Sequence, residues 1–126
     1  MRRPGRRPAL AAAAVLTVAL GLGVRGLGEG AWTGPAGDAL YAVLVYVLVA
    51  FVLPRRPRAF VALLAVGVCA GIELFQLTGL PAELGRAWPP ARLVLGTTFG
   101  LADLAAYAVG VAAAWTADSA ADRPAP

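Results

Sequence analysis

Apolar residues run along this chain in four long blocks, and polarity gathers mostly in the gaps between them. The blocks extend from about Pro8 to Val24, Gly37 to Leu53, Ala59 to Leu77 and Leu93 to Thr116. Each falls within the roughly 17 to 25 residues that carry a helix across a bilayer, and Pro, Gly and charge punctuate the joins. The pattern predicts an all-α fold: an integral membrane bundle of four transmembrane helices, forming a single domain over residues 1–117. LPRRPR makes a tight second connection, because its prolines stop a helix at Leu53. GLGEGAWTGPAG and PAELGRAWPPAR read as the other two loops. Residues 118–126 are small, polar and Pro-ended, and read as a disordered cytoplasmic tail.

Charge sets the direction. The N-terminus (Arg2, Arg3, Arg6, Arg7), the second connection (Arg55, Arg56, Arg58) and the tail (Arg123) hold most of the 11 basic residues. Arginine flanks the cytoplasmic ends of spans, so both termini are expected in the cytoplasm of a bacterial cell, with the chain multi-pass in the plasma membrane. The basic start followed by an apolar core also describes a secretory signal. With three further blocks behind it and no convincing small-residue cleavage site, it reads as an uncleaved first span. Trp32, Trp88 and Trp115 fall near span ends, where an aromatic belt belongs.

Composition narrows the function. The chain is 60% hydrophobic and 14% charged, with mean hydropathy +0.73, too apolar for a soluble domain of 126 residues. A net charge of +4 and a pI near 10.2 raise nucleic acid as a partner. The arginines sit in short runs beside apolar blocks rather than on one basic face, so no nucleic acid is expected. The lipid bilayer is the expected partner. Lys and His are absent, which removes the usual zinc ligand, near-neutral base and Schiff-base amine. No metal and no cofactor are expected, and the lone Cys69 excludes an internal disulfide.

The polar residues inside the blocks share one side. From about 1.5 Å of rise per residue, Glu73 lies about 6 Å beneath the outer surface and Asp103 about 15 Å, near mid-bilayer. Arg25 closes the first block at its outer end and Asp38 opens the second there. Arg86 and Arg92 lie in the outer loop that leads into the fourth. Residues three and four apart share a helix face, which pairs Glu73 with Gln76, Asp38 with Tyr41, and Asp103 with Tyr107 and Gly110. Lipid cannot satisfy such groups, so they are expected to turn inward and form an outward-opening polar site of Glu73, Gln76, Asp38, Tyr41, Asp103 and Tyr107, with Arg25, Arg86 and Arg92 as cationic partners. GVCAG (67–71) and GTTFG (96–100) fit close small-residue packing. Tyr46, in mid-helix, reads as core.

Three motifs, GDALYA (37–42), IELFQL (72–77) and LVLGTTFGLADLAAYAVG (93–110), with Arg86 ten residues before Gly96, resemble a family of small bacterial membrane proteins known as domain of unknown function 2809. That family in turn is similar to VanZ-like proteins, whose pattern is a Glu and Gln on one helix, a loop Arg, then an Asp and a Gly-containing helix. Glu73, Gln76, Arg86, Asp103 and Gly110 are the matching positions, and Tyr107 stands where the VanZ-like pattern tends to carry Asn. The resemblance implies a role at the cell envelope without supplying a reaction.

The leading expectation is an envelope accessory or binding protein whose polar pocket takes a lipid or lipid-linked precursor headgroup. Two alternatives stay open: a membrane-embedded enzyme with a carboxylate general base, which the lack of His and of a metal motif disfavours, and a purely structural polar network in an assembly partner. A homo-oligomer is compatible with either.

Overall fold

The computed structural model describes residues 6–27, 33–91 and 101–121. Within them the chain forms α1 (Arg6–Leu27), α2 (Thr33–Val52), α3 (Arg58–Phe75), a 3-10 turn (Gln76–Thr78), α4 (Leu80–Ala87) and α5 (Leu101–Ala121). The fold is all-α. Three stretches, Arg7–Val24, Gly34–Val52 and Arg58–Thr78, are long and apolar enough to cross a membrane, so at least three helices span it. Arg92, residues 93–100 of the expected fourth block with the GTTFG motif, Trp32 and residues 122–126 lie outside the described residues, as does the Arg25 side chain.

The connections follow from local chemistry. Leu53 still donates its N–H to Val49 O at 2.8 Å, and the Pro54–Pro57 corner then turns the chain, with Pro57 extended at φ −57°, ψ 147° as it opens α3. At the far end of α3 the helix tightens into the 3-10 turn and stops at Gly79, whose φ of +80° is left-handed. Only glycine takes that conformation without a Cβ clash, and Thr78 secures the corner by donating to Phe75 O at 2.7 Å while accepting from Leu80 N at 3.2 Å.

Two expectations need correction. The stretch PAELGRAWPPAR is not a plain loop, because Leu80–Ala87 is helical. Pro81 in the first turn, Glu83 near the positive end of the helix and Arg86 in the last turn suit that short helix. The last helix also runs through Ala121, past the expected end at Thr116, so residues 118–121 are helix rather than tail. ADSAA is rich in the strongest helix former, and Asp118 is held from two sides by neighbouring helices.

α2 occupies the middle of the bundle, with α1 on one side and α3 and α5 on the other, while α3 also packs on α5. Arg7, at the start of α1, donates to Phe51 O near the end of α2 at 3.1 Å and lies over the Phe51 ring, so α1 and α2 run antiparallel. Its guanidinium thereby satisfies a carbonyl that a helix C-terminus leaves without an intrahelical partner. The α3 core stripe is Val61, Ala62, Ala65 and Cys69; α2 contributes Ala42, Tyr46, Val47 and Ala50; α5 contributes Tyr107, Val111 and Ala114. Large apolar side chains such as Val15, Leu16, Leu22, Leu63, Leu74 and Val109 are instead exposed. That inversion is expected in lipid, where association rests on close packing of small residues rather than on burial of large ones.

α5 comes very close to α2 at Gly110. A Cβ built there would stand 2.2 Å from the carbonyl oxygen of Ala39 on α2. Gly67 and Gly71 of the GVCAG motif have nothing within 4 Å of the corresponding position, so these two glycines are not what brings α3 close to its neighbours.

Candidate functional site

The buried stripes of α3 and α5 both begin and end in polar residues. On α3 the stripe runs Arg58, Ala62, Ala65, Cys69, Glu73, Gln76; on α5 it runs Tyr107, Val111, Ala114, Asp118. Spacings of three and four keep each set on one helix face. The helices are antiparallel, so Glu73 meets Tyr107 at one end and Arg58 meets Asp118 at the other.

At the first end, Glu73 is 0% exposed and its Oε2 accepts a hydrogen bond from the Tyr107 hydroxyl at 3.0 Å. Gln76 is buried one turn further along. The Tyr41 ring of α2 lies 6.1 Å from that of Tyr107, tilted by 49°, and Cys69 is buried nearby on α3. Asp38 and Asp103 also lie in the neighbourhood of the Tyr107 hydroxyl, and both residues are half-buried. Four of the expected site residues (Asp38, Tyr41, Glu73 and Asp103), from three helices, thus lie around the phenol of a fifth, Tyr107, with Gln76 next along the α3 stripe. Helix geometry accounts for this: α2 and α5 begin, and α3 ends, at the same end of the bundle.

Arg86 is not brought in. It pairs with Glu83 one turn earlier on α4, and both side chains are largely exposed. The expected contact between Arg86 and the carboxylates is therefore replaced by a surface pair of the i, i+3 kind.

The second end holds a cluster that the hydrophobic pattern did not single out. Asp118 Oδ2 accepts from the Tyr46 hydroxyl at 2.7 Å and lies 3.3 Å from Arg58 Nε, joining α2, α3 and α5. Tyr46 is core, as its position suggested, but its hydroxyl also ties α2 to α5. A signal was available: Asp118 is eleven residues after Tyr107, three full turns, and so on the same face.

Between the two clusters the shared stripes are apolar and small, with about 22 Å of helix from Arg58 to Glu73. The two polar levels are separated by an apolar middle, and sliding one helix by a turn would set a carboxylate against alanine.

The model of a family of proteins of unknown function, DUF2809, matches residues 27–111. The chain belongs to the DUF2809 family. In this family member the match takes in Asp38, Tyr41, Glu73, Gln76, Arg86, Asp103, Tyr107 and Gly110, whereas Asp118 and most of α1 lie beyond it. Neither a curated protein nor a solved structure matches the chain. Family membership and the spanning helices make this DUF2809 protein a small multi-pass bacterial membrane protein. Among the described residues no group of His, Cys, Asp and Glu side chains is placed to hold a metal ion.

Proposed function

We propose that this protein is a four-span cell-envelope binding protein of the plasma membrane, with both termini cytoplasmic and a polar site in its outer half that engages the headgroup of a lipid or lipid-linked precursor. The observation that carries the reading is the convergence on Tyr107 of Glu73, Asp38 and Asp103 at a single end of the bundle. Arg7, Arg55, Arg56 and Arg58 sit at the opposite end, the cytoplasmic one by the positive-inside rule. α5 is about 32 Å long, the length of a span, although it is less apolar than the three crossing stretches.

Intramembrane ionisable groups serve function by default. Here the half-buried carboxylates of Asp38 and Asp103, beside the buried Glu73–Tyr107 pair, accept hydrogen bonds from a hydroxylated or amine-bearing headgroup. Arg86, whose exposed pair with Glu83 contributes little, exchanges that partner for a phosphate at small cost.

Complete burial of Glu73 favours a second reading, in which the cluster locks the helices together and binds nothing. Native mass spectrometry of the protein released from its own membranes separates the two. Under the binding reading a defined lipid stays on the wild type and is lost from Glu73→Gln and Arg86→Ala. Identical lipid profiles in folded variants would overturn it, and a fall in stability of Glu73→Gln alone would mark a lock.

A further inference from the structure

α4 carries three kinds of surface in two turns. Pro81 and Gly85 are buried, Glu83 and Arg86 pair on an exposed polar side, and Leu80 and Leu84, one turn apart, stand 53% and 47% exposed. Trp88 follows directly at 65% exposure. An eight-residue helix in water would gain nothing from showing two leucines on one face with an exposed tryptophan directly after them.

The apolar surface does not begin at α4. Leu74 and Leu77, just before Gly79, are exposed at 56% and 64% and belong to the stretch Arg58–Thr78 that crosses the membrane. They therefore face acyl chains. Gly79 then turns the chain, and among the described elements α4 touches chiefly the 3-10 turn rather than folding back along α3. The lipid-facing surface of α3 thus passes through one glycine corner onto the Leu80–Leu84–Trp88 side of α4.

We infer that α4 is an interfacial helix, lying along the plane of the bilayer surface with Leu80, Leu84 and Trp88 in the boundary between headgroups and acyl chains and the Glu83–Arg86 pair facing outward. Such a helix needs an apolar side, a charged side and an aromatic anchor, and α4 with Trp88 has all three. Its partner is the lipid surface itself, on the leaflet where α3 ends. The consequence for the polar site is positional: Arg86 is held at headgroup level beside the end of the bundle that carries Glu73. The helix placement does not depend on what the site binds.

The test is depth measurement in vesicles of phosphatidylethanolamine and phosphatidylglycerol. In a Cys69→Ala background, nitroxide labels on Leu84→Cys, Arg86→Cys and, as a mid-span reference, Val68→Cys are compared by power saturation with oxygen and a water-soluble nickel chelate. The expected ratio of oxygen to nickel collisions is several-fold higher at position 84 than at 86, with 84 at a depth of about 5 to 10 Å and 68 deeper still. Equal nickel access at 84 and 86 would overturn the inference, as would a label at 84 shielded from both agents, the signature of a protein partner or second copy. Should Cys69→Ala fail to fold, Trp88 in the Trp32→Phe, Trp115→Phe protein gives the same answer: quenching by lipids brominated near the headgroup end of the chain supports the placement, and quenching by aqueous acrylamide alone contradicts it.

Discussion

Alanine at position 110 is the most sharply defined perturbation of this bundle. Its Cβ would lie 2.2 Å from the Ala39 carbonyl oxygen, 2.9 Å from the carbonyl carbon and 3.0 Å from Cα, whereas ordinary contact begins near 3.4 Å. The obstacle is backbone, so no rotamer change relieves it, and α5 must retreat from α2 by about 1 Å. A gap of that size forfeits about a quarter to a half of each van der Waals contact along the seam. Apolar transfer offers no compensation between helices in lipid. Overpacking costs about 1–3 kcal/mol, and a backbone clash with no adjustable side chain belongs at the upper end. Gly67→Ala and Gly71→Ala are the controls: with nothing within 4 Å they are expected to match the wild type or gain slightly from better helix propensity. Unfolding in mixed micelles by added SDS, followed by far-UV circular dichroism, reads all three. A Gly110→Ala midpoint equal to the wild type, or an equal loss in the α3 controls, would refute the packing argument.

Other expectations follow from single contacts. Asp118→Asn loses the charge that holds Arg58 and weakens the acceptor for Tyr46, and is expected to cost about 1–3 kcal/mol in the same unfolding assay; Tyr46→Phe should then add less in that background than alone. Gly79→Ala forces a side chain into the left-handed region at φ +80° and should cost about 1–2 kcal/mol, with α-helical signal otherwise retained. Arg86→Ala breaks only an exposed pair and should leave stability within about 0.5 kcal/mol of wild type, so any loss of retained lipid in that variant reports binding rather than unfolding.

The hydrophobic pattern located three crossing helices and the inward turn of Glu73, Gln76 and Tyr107, because lipid forbids unsatisfied polarity outside the bundle, but it did not foresee a second polar level at the opposite end, where Asp118 meets Tyr46 and Arg58. Spacings of three and four placed Glu73 with Gln76 and Asp103 with Tyr107 on single faces. Which hydroxyl meets which carboxylate was not legible, since a one-dimensional pattern carries no interhelical rotation. Arg86 was misplaced because α4 was read as a loop; once helical, that segment supplies Glu83 one turn away as a nearer partner. Asp118 was assigned to the tail on local composition, although the contacts that hold it come from α2 and α3, far away in sequence. The glycine motif on α3 looked like a packing seam but faces outward, while the single Gly110, with no repeat around it, makes the backbone contact.

The central claim is that Glu73 and Tyr107 meet inside the bundle and support one another there. A double-mutant cycle with Glu73→Gln, Tyr107→Phe and the combined variant, read by SDS unfolding, tests it most directly. Groups in contact are expected to show a coupling of at least about 0.5 kcal/mol and as much as about 3 kcal/mol. Costs that simply add, within about 0.3 kcal/mol, would place the two side chains apart and contradict the account.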